Sequence, residues 1–186
     1  PNVTIPLIEH LGSEADLIRW LLHSALTQLT EADANSTLCH HVSINVPATT
    51  ITTPQLHTDL TQALSLWDID PSRLTLEITE DVLIDDKEQA FDHLSKIRET
   101  GVKIAIDDFG TGYSSLAYFK HIPADEIKID QAFIRGMRDN DSDRTLVRWI
   151  IELAHAFNLI AVAEGVEDQQ TLGLLKQMHC DYAQGY

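Results

Sequence analysis

Side chains able to hold a metal ion or a phosphate recur at intervals along the chain: Asn45, Glu77, Glu80, Asp107, Asp108, Lys128, Asp130, Glu164, Glu167 and Gln184. Each lies within or just after a short apolar run. Carboxylates that converge on one place repel one another unless cations intervene, and an oxygen-rich ligand set suits Mg²⁺ or Mn²⁺. Two such ions side by side hold both the attacking and the leaving oxygen of a phosphodiester. Taken singly, Glu80 or Glu167 is equally well explained as a helix cap or a surface charge after a strand. As a set on consecutive strand ends, these residues point to metal-dependent phosphate chemistry.

A second signal is the run DDFGTGYSSL, residues 107–116. Gly110 and Gly112, with small hydroxyl residues directly after an apolar run, make a loop that can approach a ligand closely. Its Asp-Phe-Gly triplet also occurs in kinases, but no kinase Gly-rich or catalytic-loop signature accompanies it, which rejects that alternative.

The elements that would position these residues follow from periodicity. Ser13 and Asp16 resemble a capping pair ahead of a helix with Leu17, Leu21, Ala25 and Leu29 on one face. Residues 41–46 suggest a strand. Thr53-Pro54 suggests a cap followed by a helix through Leu56, Leu60, Ala63 and Leu64. Further strands are expected at 74–79, 102–107, 127–130, 159–163 and 181–186. Helices are expected around 90–98 (ended by Gly101), 116–119, 142–154 and 172–178. Within 74–79 the parity places Glu77 with Thr75 and Thr79 on one face and Leu74, Leu76 and Ile78 on the other. Alternating strands and helices imply parallel crossover units, six in number at about 31 residues each, close to one eighth of a (β/α)8 barrel. An open doubly wound sheet is the competing architecture. In a parallel barrel the strand C-terminal ends meet at one mouth.

Composition bounds the function. The 186 residues carry 13 Lys+Arg against 29 Asp+Glu, a net charge of −16, with 44% apolar residues, so a core can form and a disordered acidic tail is excluded. The acidic balance opposes duplex nucleic-acid binding. It is compatible with a phosphate-bearing substrate if divalent cations supply positive charge. No run of apolar residues is long enough to span a membrane, and Pro1-Asn2-Val3-Thr4 lacks a secretory pattern. Cys39 and Cys180 fit no zinc spacing, and a reduced cytoplasmic setting is expected. The adjacent His40 and His41 are expected to face solvent. Trp20, Trp67 and Trp149 are expected to pack, and Met137 and Met178 to be core or rim.

The loop DDFGTGYSSL, with LEITE before it, KID after it, then AEGVE and QGY, resembles the EAL-domain family of bacterial cyclic di-GMP phosphodiesterases. The resemblance runs in order over essentially the whole chain. It implies an α/β fold, a TIM-like (β/α)8 barrel present here as about six βα units. It also implies hydrolysis of cyclic di-GMP to linear pGpG with two Mg²⁺ or Mn²⁺ ions. Carried over, Asn45, Glu77 and Asp107 resemble the ligands of one metal. Asp107 would bridge to a second, with Asp108 and Glu164 beside it. Lys128 resembles the lysine that contacts the hydrolytic water. Glu80 matches the acid that steadies the Gly-rich loop, and Asp130, Glu167, Gln184, Gly110 and Gly112 match positions that line or support the substrate site. The family likeness further implies a homodimer, sensor or diguanylate cyclase domains in the parent chain, and a cytoplasmic domain whose parent can be tethered to the inner membrane.

The family's Glu-Ala-Leu motif and the arginine after it are not in this sequence. Residues 1–186 are therefore expected to be one EAL domain lacking its first two strands and its last helix. These residues alone are expected to be poorly soluble and inactive, since a metal ligand and a phosphate clamp are missing. The competing function is a sensor module that binds cyclic di-GMP without cutting it. The retained acids and Lys128 favour the enzyme, and a purely structural domain does not account for them.

Overall fold

The computed structural model describes residues 14–35, 40–80, 87–110 and 121–185. The expected cap at Ser13, the helix at 116–119, Cys39 and Gly112 lie outside the described residues. The chain divides into two compact units. One comprises the described residues before Thr79 together with 87–103; the other comprises Thr79, Glu80 and those from Ile104 onward.

In the first unit, α1 (Glu14–Ala34) carries an apolar stripe at helical spacing, with Ile18, Leu22, Ala25, Leu26 and Leu29 buried. After it come β1 (Val42–Asn45), the single turn α2 (Ala48–Ile51) and α3 (Pro54–Trp67). Then follow β2 (Leu74–Thr79) and α4 (Lys87–Glu99). The stripe of α1 packs on α3, which buries Leu56, Leu60, Ala63 and Leu64 in return. β1 and β2 pair in parallel with Asn45 opposite Glu77. Both faces of β2 are covered, so Thr75 and Glu77 are buried as well as Leu74, Leu76 and Ile78.

One expectation about this unit changes. Thr53 sits at the N-cap of α3, but its hydroxyl donates to the Thr50 carbonyl (2.6 Å) and caps no helix amide. The end of α2, a turn too short to show a period, presents that carbonyl, and Pro54 removes one of the amides needing a cap. His40 and His41 are both exposed, as expected, and His41 Nε2 also lies 2.6 Å from the hydroxyl of buried Thr75.

The second unit contains β3 (Lys103–Phe109), β4 (Glu126–Ile129), α5 (Gln131–Gly136) and α6 (Asp141–Ala156). It ends with β5 (Ile160–Glu164), α7 (Gln169–Gln177) and β6 (Tyr182–Gln184). Its strands pair in parallel in chain order from β3 to β6. Ile104, Ile106, Ile127, Ile129, Ala161 and Ala163 on these strands are all buried. Each helix starts on a side-chain cap: Asp130 accepts from Ala132 N (2.7 Å), Asn140 from Ser142 N (2.9 Å) and Asp168 from Thr171 N (2.8 Å). At the N-terminal ends of the strands, Asp125 accepts from Ile104 N (3.0 Å) and Asp181 from Ala161 N (2.9 Å).

Met137 is core and Met178 rim, as expected. Trp20 and Trp149 are not packed; each is 64% exposed on the outer side of its helix, opposite the buried stripe. Trp67 instead donates through Nε1 to His23 Nδ1 (3.1 Å). Among the described residues, no helix is long and apolar enough to cross a membrane.

Because Leu26 is fully buried at the α1 stripe, Leu26→Ala is expected to lower unfolding free energy by about 2–5 kcal/mol through lost transfer energy plus a cavity. Urea denaturation followed by circular dichroism checks this, with the midpoint falling at unchanged slope.

Candidate active site

The geometry of the second unit centres on a break in strand register. Ile106 pairs with Ile127 and Phe109 with Ile129, so Asp107 and Asp108 together face the single residue Lys128. That is a β-bulge, and Asp108 accommodates it with φ +53°, in the left-handed region. The sequence pattern suggests a strand ending at Asp107, whereas the strand continues through the bulge to buried Phe109. In a regular strand two successive side chains point to opposite faces. The bulge lets both carboxylates serve one place.

That place includes Glu164 at the end of β5. Oxygens of Asp107, Asp108 and Glu164 all lie within 4.8 Å of one another. Lys128, 5% exposed, sits among them with Nζ 3.0 Å from Asp107 Oδ1 and 2.7 Å from Glu164 Oε1. Partial desolvation, followed by the charges of Asp107, Asp130 and Glu164 and a hydrogen bond to Asp130, pushes the Asp108 carboxyl up to about 6. Three carboxylates share one ammonium, and the donors are all oxygen. This set fits Mg²⁺ or Mn²⁺ and does not suit a thiophilic metal.

Glu80, 4% exposed, accepts from the amide of Gly110 (3.2 Å) at the start of the Gly-rich loop. Gly110 has φ +101°, and a Cβ there would lie 3.0 Å from the Phe133 ring, so any larger residue is strained at this position. Gly112 lies outside the described residues. Asp130 caps α5 while its side chain also reaches Asp108. Glu164 is paired in register with Gln184, which lines a cleft of about 380 Å³ with Gln131, Arg135, Glu164, Gly165 and Glu167. In the first unit, Asn45 and Glu77 stand side by side at the ends of β1 and β2, and Val46 N donates to the Glu77 carbonyl (2.8 Å). Arg135 went unnoticed in the sequence because it lies on a six-residue helix with no motif around it. Its spacing of five residues after Asp130 was the available signal.

A carboxyl whose pKa is higher folded than unfolded binds protons better in the folded state. Stability therefore falls as pH rises from about 4 through about 6. Asp108→Asn, with divalent cations chelated, is expected to raise Tm by about 2–4 °C at pH 8, the screened equivalent of about 1 kcal/mol. The gain should shrink at pH 4, where the carboxyl is protonated in the folded state and about half protonated in the unfolded one. Calorimetry at the two pH values checks the sign.

Residues 1–186 match the EAL domain family throughout. The chain is 36% identical over 186 residues to the cyclic di-GMP phosphodiesterase NbdA of Pseudomonas aeruginosa, covering 100% of this chain and 24% of NbdA. It is 33% identical to the oxygen sensor protein DosP of Escherichia coli, covering 100% of this chain and 23% of DosP. Among solved structures, the phosphodiesterase of Pseudomonas aeruginosa MucR in complex with c-di-GMP superposes with a TM-score of 0.92 at 34% identity. That alignment covers 100% of this chain and 75% of the other. The chain spans about a quarter of the length of the curated relatives it matches. The fold is thus α/β, the TIM-like barrel of the EAL type, incomplete here, with six parallel strands. With motif, fold and full-length match in agreement, the chain belongs to the EAL domain family.

Proposed function

We propose that this chain is the catalytic part of a cyclic di-GMP phosphodiesterase that hydrolyses one phosphodiester to give linear pGpG, using two Mg²⁺ or Mn²⁺ ions. The observation that carries this reading is the convergence of Asp107, Asp108 and Glu164 within 4.8 Å around buried Lys128. The cyclic di-GMP phosphodiesterase NbdA and the bifunctional diguanylate cyclase/cyclic di-GMP phosphodiesterase MucR, both similar to this chain, support the substrate. We take residues 1–186 as one EAL domain of a longer protein. It works in the cytoplasm as a homodimer alongside sensor or diguanylate cyclase modules of the kind that the names DosP and MucR describe.

In this reading Asp107, Asp108, Glu164, Asn45 and Glu77 hold the ions. Bound there, divalent cations supply electrophilic polarisation of the phosphodiester and activation of water. Lys128 orients the attacking water and stabilises negative charge as it develops, and Asp107 and Glu164 fix its ammonium. Glu80 holds the Gly110 amide at the start of the Gly-rich loop. Glu167 and Gln184 line the substrate cleft, and Asp130 fixes the start of α5 beside Asp108.

The test uses the full-length protein and chromatographic detection of pGpG. Cleavage is expected with Mg²⁺ or Mn²⁺, little with Ca²⁺ because of its longer, looser coordination, and none in excess chelator. Asp107→Ala should lose on the order of 10³-fold or more in rate. Glu80→Ala should retain the fold and part of the activity. Undiminished hydrolysis in chelator would overturn the metal mechanism. Tight binding without cleavage by the wild type would favour the sensor.

A further inference from the structure

Arg135 occupies the last turn of α5 and lines the cleft of about 380 Å³ with Gln131, Glu164, Glu167 and Gln184. Its Nη2 donates to Glu167 Oε1 (2.8 Å), although both side chains are more than half exposed. An exposed ion pair of this kind contributes little to stability. The local backbone nevertheless favours the arrangement. Gly165, with φ +67°, lets α5 close over the end of β5, where a Cβ would sit 2.8 Å from that of Gln131. The chemistry of the lining is specific. Glu164 is bonded to Lys128 and Glu167 to Arg135, so each lining carboxylate has its cation and the cleft holds no spare positive charge for an anionic phosphate. A neutral ligand part rich in both donors and acceptors fits, because the two carboxylates accept, the guanidinium donates, and the two Gln amides do both.

We propose that Arg135 is a specificity-determining residue that reads one guanine of the dinucleotide. It donates as a fork to guanine O6 and N7, while Glu167, which holds the fork in place, faces the donor groups of the base. Arginine matches this edge of guanine bidentately and meets an amino group at the corresponding position of adenine. The proposal rests on the phosphodiesterase reading above and adds the recognition of the base.

Steady-state kinetics on the full-length protein with Mg²⁺, together with binding of cyclic di-GMP and cyclic di-AMP in the presence of Ca²⁺, test it. Arg135→Ala is expected to raise KM for cyclic di-GMP about ten-fold with kcat within about two-fold. It should weaken cyclic di-GMP binding without weakening cyclic di-AMP binding, so that discrimination drops by about the same factor. Arg135→Lys keeps the charge but not the fork and should fail to restore discrimination. Equal loss for both dinucleotides, full rescue by lysine, or an unchanged KM would overturn the base-reading role while leaving the phosphodiesterase reading intact. A wild-type protein that neither binds nor cleaves cyclic di-GMP overturns both. Matching melting temperatures of the variants and wild type confirm that the readout is not one of folding.

Discussion

Like charge held at close range governs the strand ends of the second unit. Two carboxylates about 4 Å apart repel by about 4 kcal/mol at the effective dielectric of a protein surface. Here Asp107, Asp108 and Glu164 crowd within 4.8 Å. Lys128 neutralises part of that charge by bonding Asp107 and Glu164 at once, from a position almost closed to solvent. Partial burial first, and then the charge of Asp107, raise the pKa of Asp108 beside them. One ammonium among three carboxylates leaves negative charge uncompensated at neutral pH, and so the site attracts further cations. The arrangement is stable enough to fold and is electrostatically incomplete.

The bulge is what converts a strand into this site. Period-two alternation would send Asp107 and Asp108 to opposite faces of β3. The extra residue opposite Lys128 and the left-handed backbone of Asp108 bring them together. Aspartate tolerates that conformation better than most side chains, so the residue type serves the turn as well as the chemistry. The next residue but one, Gly110, continues the departure from extended backbone with φ +101° and is held by buried Glu80. The meeting of the two carboxylates and the Glu80–Gly110 bond thus sit on one local irregularity.

Much of this was legible in the sequence. The strand at 74–79 and the helix opening at Pro54 coincide with the observed elements, because alternation and a proline at the first helical position are strong local signals. The strand-end acids were legible too, since their spacing follows the βα repeat. Short elements were not: α2 and α5, of four and six residues, complete too few turns to display a period. The bulge was invisible because it consists of one extra residue, which alters pairing and leaves composition unchanged. Trp20 and Trp149 misled because aromatic residues usually pack, whereas here the stripes of their helices are filled by smaller aliphatic side chains.

Acidity alone does not mark function in so acidic a chain, and the position of each acid on its strand separates the roles. Asp125 and Asp181 precede β4 and β6, and their carboxylates accept from the backbone amides of Ile104 and Ala161. An amide directed at a carboxylate satisfies it locally, and such acids join strand to strand. Asp130, Asn140 and Asp168 likewise end on helix amides. At the other ends of the strands Glu80 and Asp107 also accept from amides, those of Gly110 and Asp108, but Asp107, Asp108 and Glu164 crowd against one another as well. Their demand for positive charge passes to Lys128, to Arg135 for Glu167, and to ions from solution. The same chemical group therefore holds the fold at one end of the strands and forms a cation-seeking site at the other.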